Sequence, residues 1–132
     1  MFRTTPAFSG FAVDDVAAAR DFYGGTLGLD VTEMPEMGLL QLRLGTGALV
    51  LVYPKPDHEP ATYTILNFPV EDIDAAVAGL AGAGVTFERY PALGEPAENG
   101  VYRGPEGPPI AWFLDPAGNV LSVLEDPSGG PA

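Results

Sequence analysis

The sequence predicts an α+β fold built from two copies of one β-α-β-β-β unit. Three observations carry this. Val13-Asp14-Asp15-Val16 recurs as Val70-Glu71-Asp72-Ile73, and the pair Val16/Tyr23 recurs as Ile73/Leu80, so one strand-to-helix passage appears twice. Residues 112–125 read as a hairpin: an apolar run from Trp112, the turn Asp115-Pro116-Ala117-Gly118-Asn119, and a second apolar run from Val120. Pro116 presets φ for a turn, and Gly118 or Asn119 can take positive φ. A weaker hairpin of the same grammar spans residues 39–53 around Gly45-Thr46-Gly47.

The elements follow in order. Residues 8–13 alternate as a strand, with Phe11 and Val13 on one face and Phe8, Gly10 and Ala12 on the other. Asp14-Asp15 offers an N-cap to a helix reaching about Tyr23, with Val16, Ala19, Arg20, Tyr23 and Leu27 at helical spacing. Gly24-Gly25 ends it. A second strand spans 29–34, and the first hairpin follows. Residues 54–60 hold three prolines, which makes this segment a stiff, non-helical linker. The pattern then restarts: a strand at 63–70, a helix from Ile73 through Val77 and Leu80, glycine stops at Gly82 and Gly84, and a strand at 85–90. The segment 91–109 is rich in Pro and Gly, with Val101-Tyr102-Arg103 as a candidate short strand inside it. Loops this long within a compact domain are usually functional or mobile. Disorder is expected for the tail 127–132.

The chain's 132 residues suit one domain with a sizeable core, and 46% hydrophobic residues favour folding over disorder. No apolar run reaches membrane length and no signal-peptide pattern opens the chain, so a soluble cytoplasmic protein is expected. The absence of cysteine excludes disulfides, thiolate catalysis and cysteine zinc sites. Six basic against eighteen acidic residues give a net charge of −12. Such a surface is a poor match for nucleic acid. Its long-range field favours a cationic ligand, although solubility is the simpler account of the charge.

The two modules, the passage Phe22-Tyr23 to Leu27-Gly28-Leu29, and Asp115-Pro116-x-Gly118-Asn119 resemble the vicinal oxygen chelate superfamily. That superfamily includes glyoxalase I, bleomycin-resistance proteins and extradiol dioxygenases. The resemblance covers about residues 7–125 and implies paired β-α-β-β-β modules forming an eight-stranded, cup-shaped sheet with the helices outside. Module one would span about 7–53, the linker 54–61 and module two about 62–126, all within a single domain at 1–126. The family dimerises often, so a homodimer is expected, with the stiff linker as a place where modules could be exchanged.

Enzymes of this superfamily hold a divalent metal with His, Gln or Glu from the first and last strands of each module. Carried onto this chain, those positions are Phe8, Val50, Ile65 and Ser122. None is an ordinary ligand of a transition metal, and their immediate neighbours supply no His, Glu or Gln. The single histidine, His58, lies in the Pro-rich linker, so no serine–histidine–acid arrangement is expected. The acidic pairs at both helix starts read as caps, and Asp115 as a turn former.

Strand alternation assigns the concave face Phe8, Gly10, Ala12, Gln41, Arg43, Ala48, Val50, Val52, Ile65, Asn67, Pro69, Val120 and Ser122. If Leu114 pairs with Val120, Trp112 pairs with Ser122 and points the same way. A mostly apolar face with few polar points resembles a small-molecule pocket, and a collapsed cup or a dimer seam would show the same pattern. The candidate ligand-binding residues are Phe8, Gln41, Arg43, Val50, Ile65, Asn67, Tyr102, Trp112 and Ser122, with no catalytic residue, metal or cofactor assigned. The expected function is metal-free binding or sequestration of a small aromatic or amphipathic molecule. The competing expectation is a glyoxalase-like lyase or isomerase, or a dioxygenase, with unconventional metal ligands.

Overall fold

A computed structural model describes residues 1–105 and 107–126, so the tail expected to be disordered, 127–132, lies outside the described residues. The chain divides into two compact units, Met1–Pro60 and Ala61–Ala132. Among the described residues no helix is long and apolar enough to cross a membrane.

In the first unit, β1 (Ser9–Val13) runs into α1 (Val16–Arg20) and a widened π-helical turn (Asp21–Thr26). Three further strands, β2 (Asp30–Met34), β3 (Leu39–Arg43) and β4 (Leu49–Pro54), complete a sheet in the order β1-β4-β3-β2. Asp15 caps α1: its carboxylate accepts the Ala18 amide at 3.1 Å. The α-helix stops before the expected Tyr23 because the ladder widens there, with the Leu27 amide donating to the Phe22 carbonyl at 2.9 Å. Gly24 and Gly25 lower the helix propensity at that point. The wider turn keeps Tyr23 fully buried, its ring 5.6 Å from Phe11 and 5.1 Å from Phe22.

In the second unit, β5 (Thr64–Val70) leads to α2 (Ile73–Gly82) and, after a 3₁₀ turn at Pro91–Leu93, to β6 (Ile110–Leu114) and β7 (Val120–Glu125). The sheet order is β5-β7-β6. The internal repeat extends to single hydrogen bonds. Asp72 accepts the Ala75 amide at 3.1 Å, as Asp15 does from Ala18. The Val70 carbonyl accepts from Asp126, as the Val13 carbonyl does from Lys55. Glu125 adds a second cap to α2 by accepting the Ile73 amide at 3.1 Å.

Among the described residues the expected eight-stranded sheet is thus seven strands in two sheets, of four and three. The missing strand is 85–90. Its place along β6 is shared by two segments: Phe87 bridges Phe113, and Tyr102 bridges Ile110. The Glu88 amide donates to the Trp112 carbonyl at 2.8 Å, but the Tyr90 amide turns to the Tyr102 hydroxyl at 2.7 Å instead of continuing a ladder. Pro91 then has no amide to offer. Tyr102 and Ile110 exchange both backbone hydrogen bonds, so the candidate strand at 101–103 is reduced to this one bridge.

The Asp-Pro-x-Gly-Asn turn closes the last hairpin around a buried carboxylate. Asp115 accepts the amides of Ala117 and Asn119 at 2.9 and 2.8 Å and the Asn119 side-chain amide at 3.0 Å. Gly118 takes φ 88°, the left-handed conformation that glycine adopts freely. Asp115 is 4% exposed, so its removal would leave buried donors without partners. Asp115→Ala is expected to cost about 2–3 kcal/mol of stability, read from urea unfolding.

Candidate ligand-binding site

Each sheet turns one face to its own helix, and the opposite face holds Gln41 and Arg43 in the first unit and Asn67, Trp112 and Ser122 in the second. In the first unit β1 runs parallel to β4 with Phe11 beside Val52, and β3 sets Leu42 beside Val50 and Leu40 beside Val52. The Phe11–Tyr23 ring contact marks this as the helix side. Val50 and Val52 are therefore core residues, 3% and 0% exposed, and not members of the ligand-side face on which alternation placed them along with Ala48. The cause is one residue of register. Arg43 pairs with Leu49 across the 44–48 loop, so the residues that share a face with Gln41 and Arg43 are Leu49 and Leu51. Gly10 lies on that face as well, where a Cβ would stand 3.2 Å from the Leu51 carbonyl oxygen. Gln41 is half-buried and Arg43 exposed, its guanidinium reaching the Gly47 carbonyl at 3.5 Å. Phe8 sits one residue before β1 and is 64% exposed.

The second unit gathers more of the candidates. The hairpin pairs Leu114 with Val120 and Trp112 with Ser122, and the parallel ladder pairs Asn67 with Ser122. Phe113, Leu121 and Val123 take the other face, where the Phe113 and Phe87 rings meet edge-on at 5.9 Å. A register shift between Thr64 and Leu66 leaves Ile65 unpaired and sets Thr64 opposite Val120. Thr64 therefore shares the face of Asn67 and Ser122, a residue that simple alternation passes over.

Three aromatic rings and three small polar side chains meet on this face. Trp112 is half-buried, with Tyr90 edge-on at 5.3 Å and Tyr102 at 5.7 Å. Its indole Nε1–H donates to the Thr64 hydroxyl at 3.1 Å. Tyr102 is buried, and its hydroxyl accepts the Tyr90 amide. Burial, with the Glu88 carboxylate and Tyr102 nearby, holds the Tyr90 hydroxyl above the ordinary tyrosine range. Ser122 is fully buried and donates to the Asn67 side-chain oxygen at 2.6 Å. That length suits O–H···O rather than N–H···O, so the amide oxygen faces the serine and the Asn67 NH₂ is turned away from it. Asn67 itself is exposed.

The four positions that the resemblance assigns to metal ligands do not fit a metal. Phe8 and Ile65 carry no donor atom, Val50 is in the core, its β4 neighbours Leu49 and Leu51 carry none either, and the Ser122 hydroxyl is engaged by Asn67. Among the described residues no three His, Asp or Glu side chains gather as a metal-binding group. His58 lies in the first unit, half-buried, with its Nε2 lacking a hydrogen-bond partner among the described residues.

A model of the glyoxalase/bleomycin resistance protein/dioxygenase superfamily matches residues 7–123. The chain belongs to this superfamily. A superfamily member from Sphaerobacter thermophilus DSM 20745 matches it with a TM-score of 0.67 at 25% identity, over 91% of this chain and 97% of that one. TnmS3, an antibiotic binding protein from Streptomyces sp. CB03234, matches with a TM-score of 0.65 at 25% identity, over 90% and 94%. The fosfomycin resistance protein FosX from Listeria monocytogenes gives a TM-score of 0.70 at 10% identity, over 91% of each chain, a likeness of fold alone. No curated protein matches the chain. Tyr90 and Thr64 are the site residues that the sequence reading lacks. Tyr90 sits at the end of a segment with no regular period, and Thr64 is brought in by the shift at Ile65.

Proposed function

We propose that this superfamily member binds a small planar aromatic or amphipathic molecule, without a metal, on the face of its second module that carries Trp112. The observation behind this reading is the hydrogen-bonded pair Ser122–Asn67 beside the Trp112, Tyr90 and Tyr102 rings. Where the family's enzymes place a metal ligand, this chain has a buried serine whose work is to orient an amide. The rings supply apolar area for stacking. The Asn67 NH₂ supplies donors, which matches a ligand bearing a carbonyl or phenolate oxygen at its edge. The similarity to an antibiotic binding protein at 25% identity supports binding over turnover.

The second reading, a metal-dependent lyase, isomerase or dioxygenase, is favoured by the breadth of the superfamily alone. One experiment separates the two. Native mass spectrometry of protein purified from its source cells is expected to show a small organic adduct, and elemental analysis to show no stoichiometric Zn, Ni, Mn or Fe. Exhaustive chelation should leave the melting temperature unchanged, because no metal is coupled to folding. A fall of several degrees that one divalent metal restores would establish the metal-dependent reading instead.

A further inference from the structure

We propose that Asp74, on the first turn of α2, is a positioning residue for Trp112 and acts through the segment 99–103. The effect on ligand binding rests on the function proposed above; the effect on Trp112 does not. Asp74 grips that segment at both ends. One carboxylate oxygen accepts the Asn99 side-chain amide at 2.8 Å, and the other accepts the Arg103 guanidinium at 2.7 Å. Asn99 also turns inward, its side-chain oxygen accepting the Val101 amide at 3.2 Å. Its NH₂ on a carboxylate and its oxygen on an N–H fix the orientation of the amide.

Between the two grips the chain inserts Val101, fully buried, and Tyr102, 7% exposed. Gly100 makes this insertion possible. It holds φ 93°, and a Cβ there would lie 2.8 Å from the Phe87 Cβ, so the segment is pressed against the core with no side chain between. Tyr102 then delivers two contacts to the site: its ring packs on Trp112, and its hydroxyl holds the Tyr90 amide, which places the second ring. The connection from Asp74 to Trp112 therefore runs through named contacts within one unit. The two hydrogen bonds hold the Asp74 carboxyl below the ordinary carboxylate range, Asn99 contributing more than Arg103, so the grip is charged at neutral pH.

An exposed ion pair of this kind adds little to global stability. Tyr102 is also anchored by its backbone bridge to Ile110. The consequence of losing Asp74 is local: the segment opens more often while the sheet persists. That distinguishes positioning from a general structural role, and Trp112 reports it directly because it is the only tryptophan.

The test uses ligand-free protein. Acrylamide quenching of Trp112 and the near-ultraviolet circular dichroism of the rings are measured for wild type, Asp74→Ala, Asp74→Glu, Arg103→Gln and the control Asp57→Ala. The control breaks the exposed Lys55–Asp57 pair in the other unit. Asp74→Ala is expected to raise the quenching constant about twofold and weaken the near-ultraviolet signal at a nearly unchanged melting temperature. Arg103→Gln should give a smaller change of the same sign, Asp74→Glu should recover part of the signal, and Asp57→Ala should match wild type. Wild-type quenching and dichroism in both Asp74→Ala and Arg103→Gln would overturn the proposal, as would an equal change in Asp57→Ala. If Asp74→Ala does not fold, Arg103→Gln and Asp74→Glu decide. Failure to find any small-molecule ligand would count against the proposed function and leave this result standing.

Discussion

Phe113→Ala is expected to destabilise the protein by about 3–5 kcal/mol, the largest effect of any substitution considered. Phe113 lies in β6, 1% exposed, with Leu121 beside it on β7 at 0%. Its ring meets Phe87 edge-on, and its backbone forms the bridge that holds the 85–90 segment to the sheet. Truncation removes the transfer free energy of a whole ring and leaves a cavity walled on one side by β7, a strand held by ladders to both β5 and β6. That wall relaxes little, which keeps the cost within the range for buried aromatics. The neighbouring Leu114 gives the contrast. It is 36% exposed on the opposite face, and Leu114→Ala should cost under about 1.5 kcal/mol. Urea unfolding followed by Trp112 emission reads both variants in the module that contains them. A loss below about 1.5 kcal/mol for Phe113→Ala would mean that the site collapses around the gap and that this sheet is not close-packed.

The same residues show what a sequence discloses. The last hairpin was legible because Asp-Pro-x-Gly-Asn permits few turns, and its register carries Trp112 to Ser122 and Phe113 to Leu121 without further information. The two Asp caps were legible because an N-cap is a local interaction of one side chain with its own helix. The first hairpin was harder. The glycines of its loop announce a turn without specifying its parity, and one residue of parity moved Val50 and Val52 from the ligand-side face to the core. The shift at Ile65 is the same problem within a strand: nothing local marks it, yet it brings Thr64 to the Trp112 indole. The contacts of Tyr90 and Tyr102 depend on an irregular Pro/Gly-rich segment, where no period links one residue to the next. Sequence therefore gave access to elements and caps, while the site was decided by pairings between distant segments.

Trp112→Ala is expected to weaken ligand binding more than tenfold, about 1.5–3 kcal/mol, while costing less stability than Phe113→Ala. The two residues are adjacent on β6 and face opposite ways, so the comparison holds the strand constant. Trp112 is half-buried, and the accessible part of its ring is the area available to a ligand. A planar ligand stacked on it gains about 0.5–1.5 kcal/mol beyond the burial of apolar area, and truncation forfeits both. Truncation also frees the Thr64 hydroxyl and removes the surface on which Tyr90 and Tyr102 pack. Trp112→Phe separates these effects: it retains an aromatic face but has no N–H for Thr64, so it should keep most of the affinity. Asn67→Ala is the polar counterpart, which should cost about 1 kcal/mol with a ligand that bears an acceptor oxygen. Binding is read by calorimetry for the variants that lack tryptophan and by Trp112 emission for wild type, with any molecule recovered from cells as the titrant. If Trp112→Ala unfolds the protein as severely as Phe113→Ala, or binds that molecule as wild type does, then Trp112 belongs to the core and the aromatic wall of the proposed site is lost.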